Sequence, residues 1–180
     1  YPVVIKIVSP QILHKSDKGG IALGLRSDIE VQQAVEKMYE QIIHANPQAE
    51  IHGYLVEKMA PKGLEVIIGM RRDPTFGPLM MFGLGGVTVE LFKDVSFGIA
   101  PLTPSQARDM IEVTKAGQLL EGYRGGPRYD IEAVVDTIGR LSQIALNHPT
   151  ISEIEINPLI VFTKGKGAQV LDARMILLSE

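Results

Sequence analysis

A chain of 180 residues, 45% of them hydrophobic, can bury a sizeable core and fits one domain or two small lobes sharing a cleft. Its net charge of −3 gives no electrostatic reason to propose nucleic acid as a partner, and the absence of cysteine excludes disulfides, thiolate catalysis and zinc–thiolate sites. No apolar run approaches the roughly 18 residues of a membrane span and no signal peptide opens the chain, so a cytoplasmic protein without membrane contact is expected. The start at Tyr1, with no methionine and directly ahead of an interior-type strand, reads as a fragment whose first elements are missing.

Residues 3–8 form an apolar β-type run interrupted only by Lys6, and Pro10 closes it. Lys6 has two readings: it snorkels from an edge strand, or its ammonium is held at a cleft wall to meet a phosphate oxygen. The next stretch is the densest in chemistry. His14, Lys15, Ser16, Asp17, Lys18, Gly19 and Gly20 combine an imidazole, two ammonium groups, a hydroxyl, a carboxylate and two glycines. A hairpin needs only Asn-Gly or Asp-Gly, whereas a Gly-Gly pair flanked by cations and a hydroxyl suits close backbone approach to phosphate. This loop is therefore expected to handle phosphate, with His14 as a candidate carrier.

Residues 21–25 look like a strand returning beside the first. Ser27 and Glu30 have capping-box spacing, and Val31, Ala34, Val35, Met38 and Ile42 recur at helical spacing as far as Asn46-Pro47. Residues 51–59 and 64–70 read as strands joined by a turn at Pro61-Lys62-Gly63, punctuated by Glu57 and Glu65. Leu55, Glu57 and Met59 share a face, which is either a solvent-facing edge or the wall of a cleft that takes a flat heterocycle.

Arg71-Arg72-Asp73-Pro74 begins a loop, and the run from Pro78 passes into Gly83-Leu84-Gly85-Gly86. No helix pattern follows these glycines, because 87–92 is β-type, so they do not meet the dinucleotide fingerprint; tight turning and ligand contact both remain open. Thr103, Pro104 and Gln106 start a helix, and Asp130 caps another whose stripe is Ile131, Val134, Val135, Ile138, Leu141 and Ala145. His44, His52 and His148 have no metal-type spacing. Two closing strands, 151–156 and 168–173, deliver Asn157-Pro158 and Asp172. A hairpin of 159–162 with 169–171 sets Asn157 beside Asp172, either as an incomplete oxygen shell of the kind magnesium prefers or as an Asx turn and an unrelated aspartate.

Taken together, Tyr1-Pro2-Val3-Val4-Ile5-Lys6, Ser9-Pro10 with His14-Lys15-Ser16-Asp17 and Gly19-Gly20, Asp73-Pro74 with Phe76-Gly77-Pro78, Phe82-Gly83-Leu84-Gly85-Gly86, and Glu155-Ile156-Asn157-Pro158-Leu159 resemble the ATP-grasp domain of ADP-forming acyl-CoA synthetases of the acetate–CoA ligase β-subunit type. That group is related to the nucleotide-binding subunit of succinyl-CoA synthetase. The resemblance implies an α+β (α/β) ATP-grasp fold: two mixed-sheet lobes with flanking helices and the nucleotide in the cleft between them, with 1–56 in the first lobe and 57–180 in the second. It also implies the cofactors ATP/ADP and Mg2+.

The same resemblance assigns roles. Lys6, with Gly19 and Gly20 of the loop, meets nucleotide phosphate; Glu57, Lys58 and Met59 form the hinge beside adenine; Glu65 helps hold nucleotide or ribose. Asn157 and Asp172 bind magnesium, His14 becomes phosphorylated, and Glu155 holds the phosphohistidine. Neutral imidazole is a competent nucleophile near pH 7. The implied sequence runs from acyl-CoA and inorganic phosphate to acyl phosphate and CoA, then through a partner's histidine to His14 and on to Mg-ADP. Nothing in the chain resembles a CoA-binding Rossmann domain, so a CoA-binding α subunit or fused domain is expected, in a hetero-oligomer. Lys18 and Gly98 depart from the pattern, which has a small apolar residue and a long basic one at these positions. The alternative is a non-catalytic ATP-grasp scaffold, such as the one fused to some protein acetyltransferases; retention of Lys6, His14, Glu155, Asn157 and Asp172 together argues against it.

Overall fold

The computed structural model describes residues 1–12, 19–86 and 94–178. The chain divides into two compact units, Tyr1–Ala60 and Pro61–Glu180. The expectations for residues 14–18, His14 and Lys18 included, and for the β-type run 87–92 lie outside the described residues.

In the first unit, β1 (Val3–Val8) lies between β2 (Ile21–Leu25) and β3 (Gly53–Lys58), antiparallel to both. Strand alternation sends Ile5 and Ile7 to one face, where both are fully buried with Ile12 and with Met38 and Ile42 of α1 (Asp28–Ala45). Lys6 therefore points to the face away from α1, and because β1 is a central strand the edge-strand explanation of this lysine fails. The Ser27 hydroxyl caps α1 by accepting the Glu30 N–H at 3.2 Å. The Glu30 carboxylate, however, accepts from the Arg26 N–H at 2.8 Å, one residue ahead of the expected reciprocal partner. Glu57 and Lys58 pair with Val4 and Val3, so β3 belongs wholly to the first unit and the division falls after Ala60 instead of after residue 56.

The second unit is a sheet in the order β6-β5-β4-β7-β8, with β9 also paired to β7. Its strands are β4 (Leu64–Asp73), β5 (Gly77–Leu84), β6 (Val95–Ile99), β7 (Ile151–Val161), β8 (Ala168–Val170) and β9 (Ala173–Leu177). The expected mixed sheets are corrected here, because every pairing among the described residues is antiparallel. Parallel neighbours need a crossover connection. The one long helical excursion, between β6 and β7, returns the chain antiparallel to β4.

That excursion contains α2 (Pro104–Glu112), α3 (Lys115–Leu120) and α4 (Ile131–Asn147). Thr103 and Gln106 complete the full capping box of α2, and Asp130 caps α4, both at the residues the sequence singles out. Val134, Ile138 and Leu141 of α4 pack on Val66, Ile68 and Met70 of β4 and on Met80 and Phe82 of β5. Each such side chain contributes about 1.5–3 kcal/mol of burial. Gly98 sits where α2 presses on β6: a Cβ there would lie 2.6 Å from Met110 Sδ and 3.0 Å from Leu102 Cδ2, which leaves no room for the long basic residue of the family pattern.

Three strand expectations change. Arg71 and Arg72 belong to β4, not to a loop, and the connection shrinks to a turn in which Asp73 Oδ1 accepts the N–H groups of Thr75 at 2.8 Å and Phe76 at 2.9 Å. These two backbone hydrogen bonds hold the Asp73 carboxyl below the ordinary carboxylate range. The segments 151–156 and 159–162 are one strand, β7, that runs through Asn157-Pro158. The register against β4 shifts between Val66 and Ile68, opposite that dipeptide, where a proline without an N–H is tolerated. The chain past Asp172 forms a separate strand, β9, against the first half of β7. No helix among the described residues is long and apolar enough to cross a membrane.

Arg72 fastens this unit together. Its guanidinium donates to the carbonyls of Ala145 at 2.7 Å, His148 at 3.2 Å and Ile151 at 3.1 Å, satisfying the end of α4 and the start of β7 from β4. Arg72→Ala is expected to lower the unfolding free energy by about 2 kcal/mol, measured by denaturant titration, since a charge-assisted donor to partly buried carbonyls is removed. Gly139, inside α4 with open space around its Cα, is expected to respond in the opposite direction. Gly139→Ala should stabilise by about 0.5–1 kcal/mol in the same titration.

Candidate functional site

Within the first unit, the Lys6 ammonium lies 2.9 Å from Glu57 Oε2. Val4 is the cross-strand partner of Glu57 and Leu55 that of Lys6, so the ion pair is diagonal on the face opposite α1. The lysine side chain is 14% exposed and the glutamate 42%, which makes the lysine the more enclosed member. Gly20 accepts the Ile7 N–H at 2.9 Å and so continues the β1–β2 pairing, while Gly19 takes φ +69, a conformation suited to glycine. Lys58 is exposed at the end of β3. The Met59 N–H is committed to the Pro2 carbonyl at 3.1 Å, so the backbone amide of the expected adenine hinge already has a protein acceptor.

The second unit gathers its expected residues around the break in β7. Asn157 N–H donates to the Asp172 carbonyl at 3.1 Å and Leu171 N–H to the Pro158 carbonyl at 3.1 Å, while Leu159, Ile160 and Val161 pair with Val170, Gln169 and Ala168. The hairpin expected from sequence is therefore present, and Asn157 and Asp172 are neighbours at its base. Asn157 Oδ1 accepts the Gly86 N–H at 3.0 Å, and Asp172 Oδ1 accepts the N–H of Ala173 at 3.0 Å. A carbonyl oxygen has two lone pairs and a carboxylate about four acceptor positions, so both side chains retain oxygen capacity. Two hard oxygen donors form an incomplete shell that suits magnesium better than a softer metal. Among the described residues there is no group of three or more His, Asp or Glu side chains that would hold a metal alone.

Glu65, near the start of β4, accepts the Gly85 N–H at its carbonyl at 2.9 Å. A Cβ on Gly85 would sit 2.6–2.9 Å from the Val66 backbone, and one on Gly86 would collide with the Glu65 carboxylate. Gly86 also has φ +66. The glycines thus serve close backbone contact with β4 and bring an amide to Asn157. Sequence alone left turning and ligand contact open, and a protein side chain is the partner observed. Glu155 lies one pair along β7, with its carboxylate 3.7 Å from the Arg174 guanidinium, which in turn is 2.7 Å from Glu153.

Arg174 and Gly86 are the residues of this region that sequence reasoning missed. Arg174 lies directly opposite Glu155 in the β7–β9 ladder. The signal for it was the run Ala173-Arg174-Met175-Ile176-Leu177, readable as a strand of its own; merged with the strand before it, it could not face β7. His14 lies outside the described residues, and no bond to Glu155 is assigned. Gly86→Ala is expected to lower stability by about 1–2 kcal/mol through left-handed strain alone, measured by denaturant titration. Adding Glu65→Ala should recover the part that comes from the collision.

A family model described as an ATP-grasp domain matches residues 1–177. The chain is 48% identical over 177 residues to the acetate–CoA ligase [ADP-forming] I subunit beta of Pyrococcus furiosus, covering 98% of this chain and 75% of the relative. It is 45% identical over 180 residues to acetate–CoA ligase [ADP-forming] I of Archaeoglobus fulgidus, covering all of this chain and 26% of that protein. The chain thus spans three quarters of the separate β subunit and about a quarter of the longer relative. Among solved structures, an acetyl-coenzyme A synthetase 1 of Ca. Korarchaeum cryptofilum superposes with a TM-score of 0.82 at 48% identity, over 99% of this chain and 77% of that one. That protein was solved in complex with coenzyme A and Mg-AMPPCP, its phosphohistidine segment pointing towards the nucleotide binding site.

Proposed function

The chain belongs to the ATP-grasp domain family, and we propose that it is the nucleotide-binding part of an ADP-forming acyl-CoA synthetase, which moves a phosphoryl group through a phosphohistidine between acyl phosphate and Mg-ADP. The observation that carries this reading is the similarity to the Pyrococcus furiosus β subunit across 98% of the chain. Support from the fold comes from Asn157 and Asp172 meeting at one hairpin base, with Glu155 two residues along the same strand. The complete reaction, acyl-CoA + ADP + Pi giving acid + ATP + CoA, requires a CoA-binding partner subunit or fused domain, and the setting is cytoplasmic.

In this reading Lys6 donates to a nucleotide phosphate oxygen and exchanges Glu57 for it. Glu57, Lys58 and Met59 line the base, Glu65 holds nucleotide or ribose, and Gly19 and Gly20 allow the loop to approach phosphate. Asn157 and Asp172 hold magnesium. The metal, when bound, neutralises charge on the phosphate oxygens. His14 attacks the incoming phosphoryl group through an imidazole nitrogen; Glu155 accepts a hydrogen bond from the other ring N–H and fixes the tautomer. When the N–P bond breaks, the electron pair returns to the imidazole and the new P–O bond forms on ADP.

The test uses the full-length protein with its CoA-binding partner, labelled ATP and magnesium. Acid-labile, base-stable label should appear on this chain. His14→Ala should abolish the label and lower turnover by roughly 10³-fold or more. Label and turnover untouched by His14→Ala would overturn the relay. A protein without magnesium-dependent affinity for ADP or ATP would be a scaffold.

A further inference from the structure

We propose that Arg174 is a catalytic residue of the phosphoryl transfer, the cation that receives the phosphoryl group when phosphorylated His14 is held at Glu155; this rests on the reading above. Glu155 poses a charge problem. A carboxylate suits the imidazole of a phosphohistidine but repels the phosphoryl group it carries, which bears close to two negative charges. A site built from Glu155, Asp172 and the amide of Asn157 offers no side-chain cation of its own. Arg174 supplies one at that place. It faces Glu155 across the ladder, its guanidinium is 3.7 Å from the Glu155 carboxylate, and it is two residues beyond Asp172, so strand alternation directs it to the same side of β9 as the end of that aspartate's turn.

Two further observations fit a group that moves. Arg174 is bonded most closely to Glu153, at 2.7 Å, and its side chain is 53% exposed, so the pair is held in water and released at small cost. The guanidinium plane matches two phosphate oxygens as well as it matches a carboxylate. Arg174 thus rests on Glu153 and exchanges it for the phosphoryl oxygens, remaining beside Glu155. It donates hydrogen bonds only. As the N–P bond breaks and the P–O bond to ADP forms, the guanidinium stays protonated and offsets the charge spread over the equatorial oxygens.

Glu153 makes the proposal testable, because Glu153→Gln and Arg174→Gln break the same ion pair while only the second removes the cation. In the full-length protein with its partner, Arg174→Gln is expected to slow label transfer between ATP and His14 by about 10²–10³-fold, with Arg174→Lys recovering part of the loss. Glu153→Gln is expected to stay within about twofold of wild type. Thermal unfolding of all three variants reports the fold separately. Equal, small effects of Arg174→Gln and Glu153→Gln in a protein whose wild type still labels His14 would overturn the role of Arg174 and leave the proposed function standing. A wild type that takes no label on His14 would overturn both.

Discussion

The second unit depends on β7 having partners along both of its edges. One edge runs against β4 and the other against β8 and then β9, so eleven residues organise most of the sheet. At the middle of that strand Asn157-Pro158 shifts the register, and the backbone there turns to Asp172 instead of continuing the β4 ladder. The irregularity is what moves a polar side chain out of the ladder. An uninterrupted strand would place Asn157 as one more alternating residue, without the amide of Gly86 as a donor. The buried faces of Ile154, Ile156 and Leu159 hold the break in position from the core side.

A second constraint is close backbone packing. Gly85 lies against Val66, and Gly86 against the Glu65 carboxylate, so the end of β5 approaches β4 more closely than any residue with a Cβ allows. The consequence is chemical as well as steric, because the approach delivers one amide proton to Asn157 and leaves that side chain's remaining lone pair for another partner. The first unit shows a related economy on a smaller scale. There a single lysine on a central strand is kept beside a glutamate two rungs away, so its charge is balanced where burial would otherwise penalise it.

The charged row on β7 and β9 connects the two themes. Glu153, Glu155 and Arg174 are close because antiparallel pairing alternates opposing side chains across one face, and their partial exposure keeps the arrangement exchangeable. Family membership assigns the fold. The charge balance around Glu155 is a property of this particular strand pairing.

Local chemistry determined a good deal by itself. Ser27, Thr103 and Asp130 cap helices because each offers a side-chain acceptor at the right point of a periodic apolar run, and the Asn157–Asp172 hairpin follows from alternation and a Gly-rich connection. Motif resemblance supplied the family and the candidate roles. What only the tertiary structure decided are the long-range choices: that β1 is central and Lys6 therefore off the edge, that β4 and β7 are neighbours though some eighty residues apart, that Gly98 yields to Met110, and that Arg174 faces Glu155. Caps and hairpins are settled by contacts a few residues apart. Strand order and cross-strand partners depend on which distant surfaces bury each other, and no local pattern encodes that.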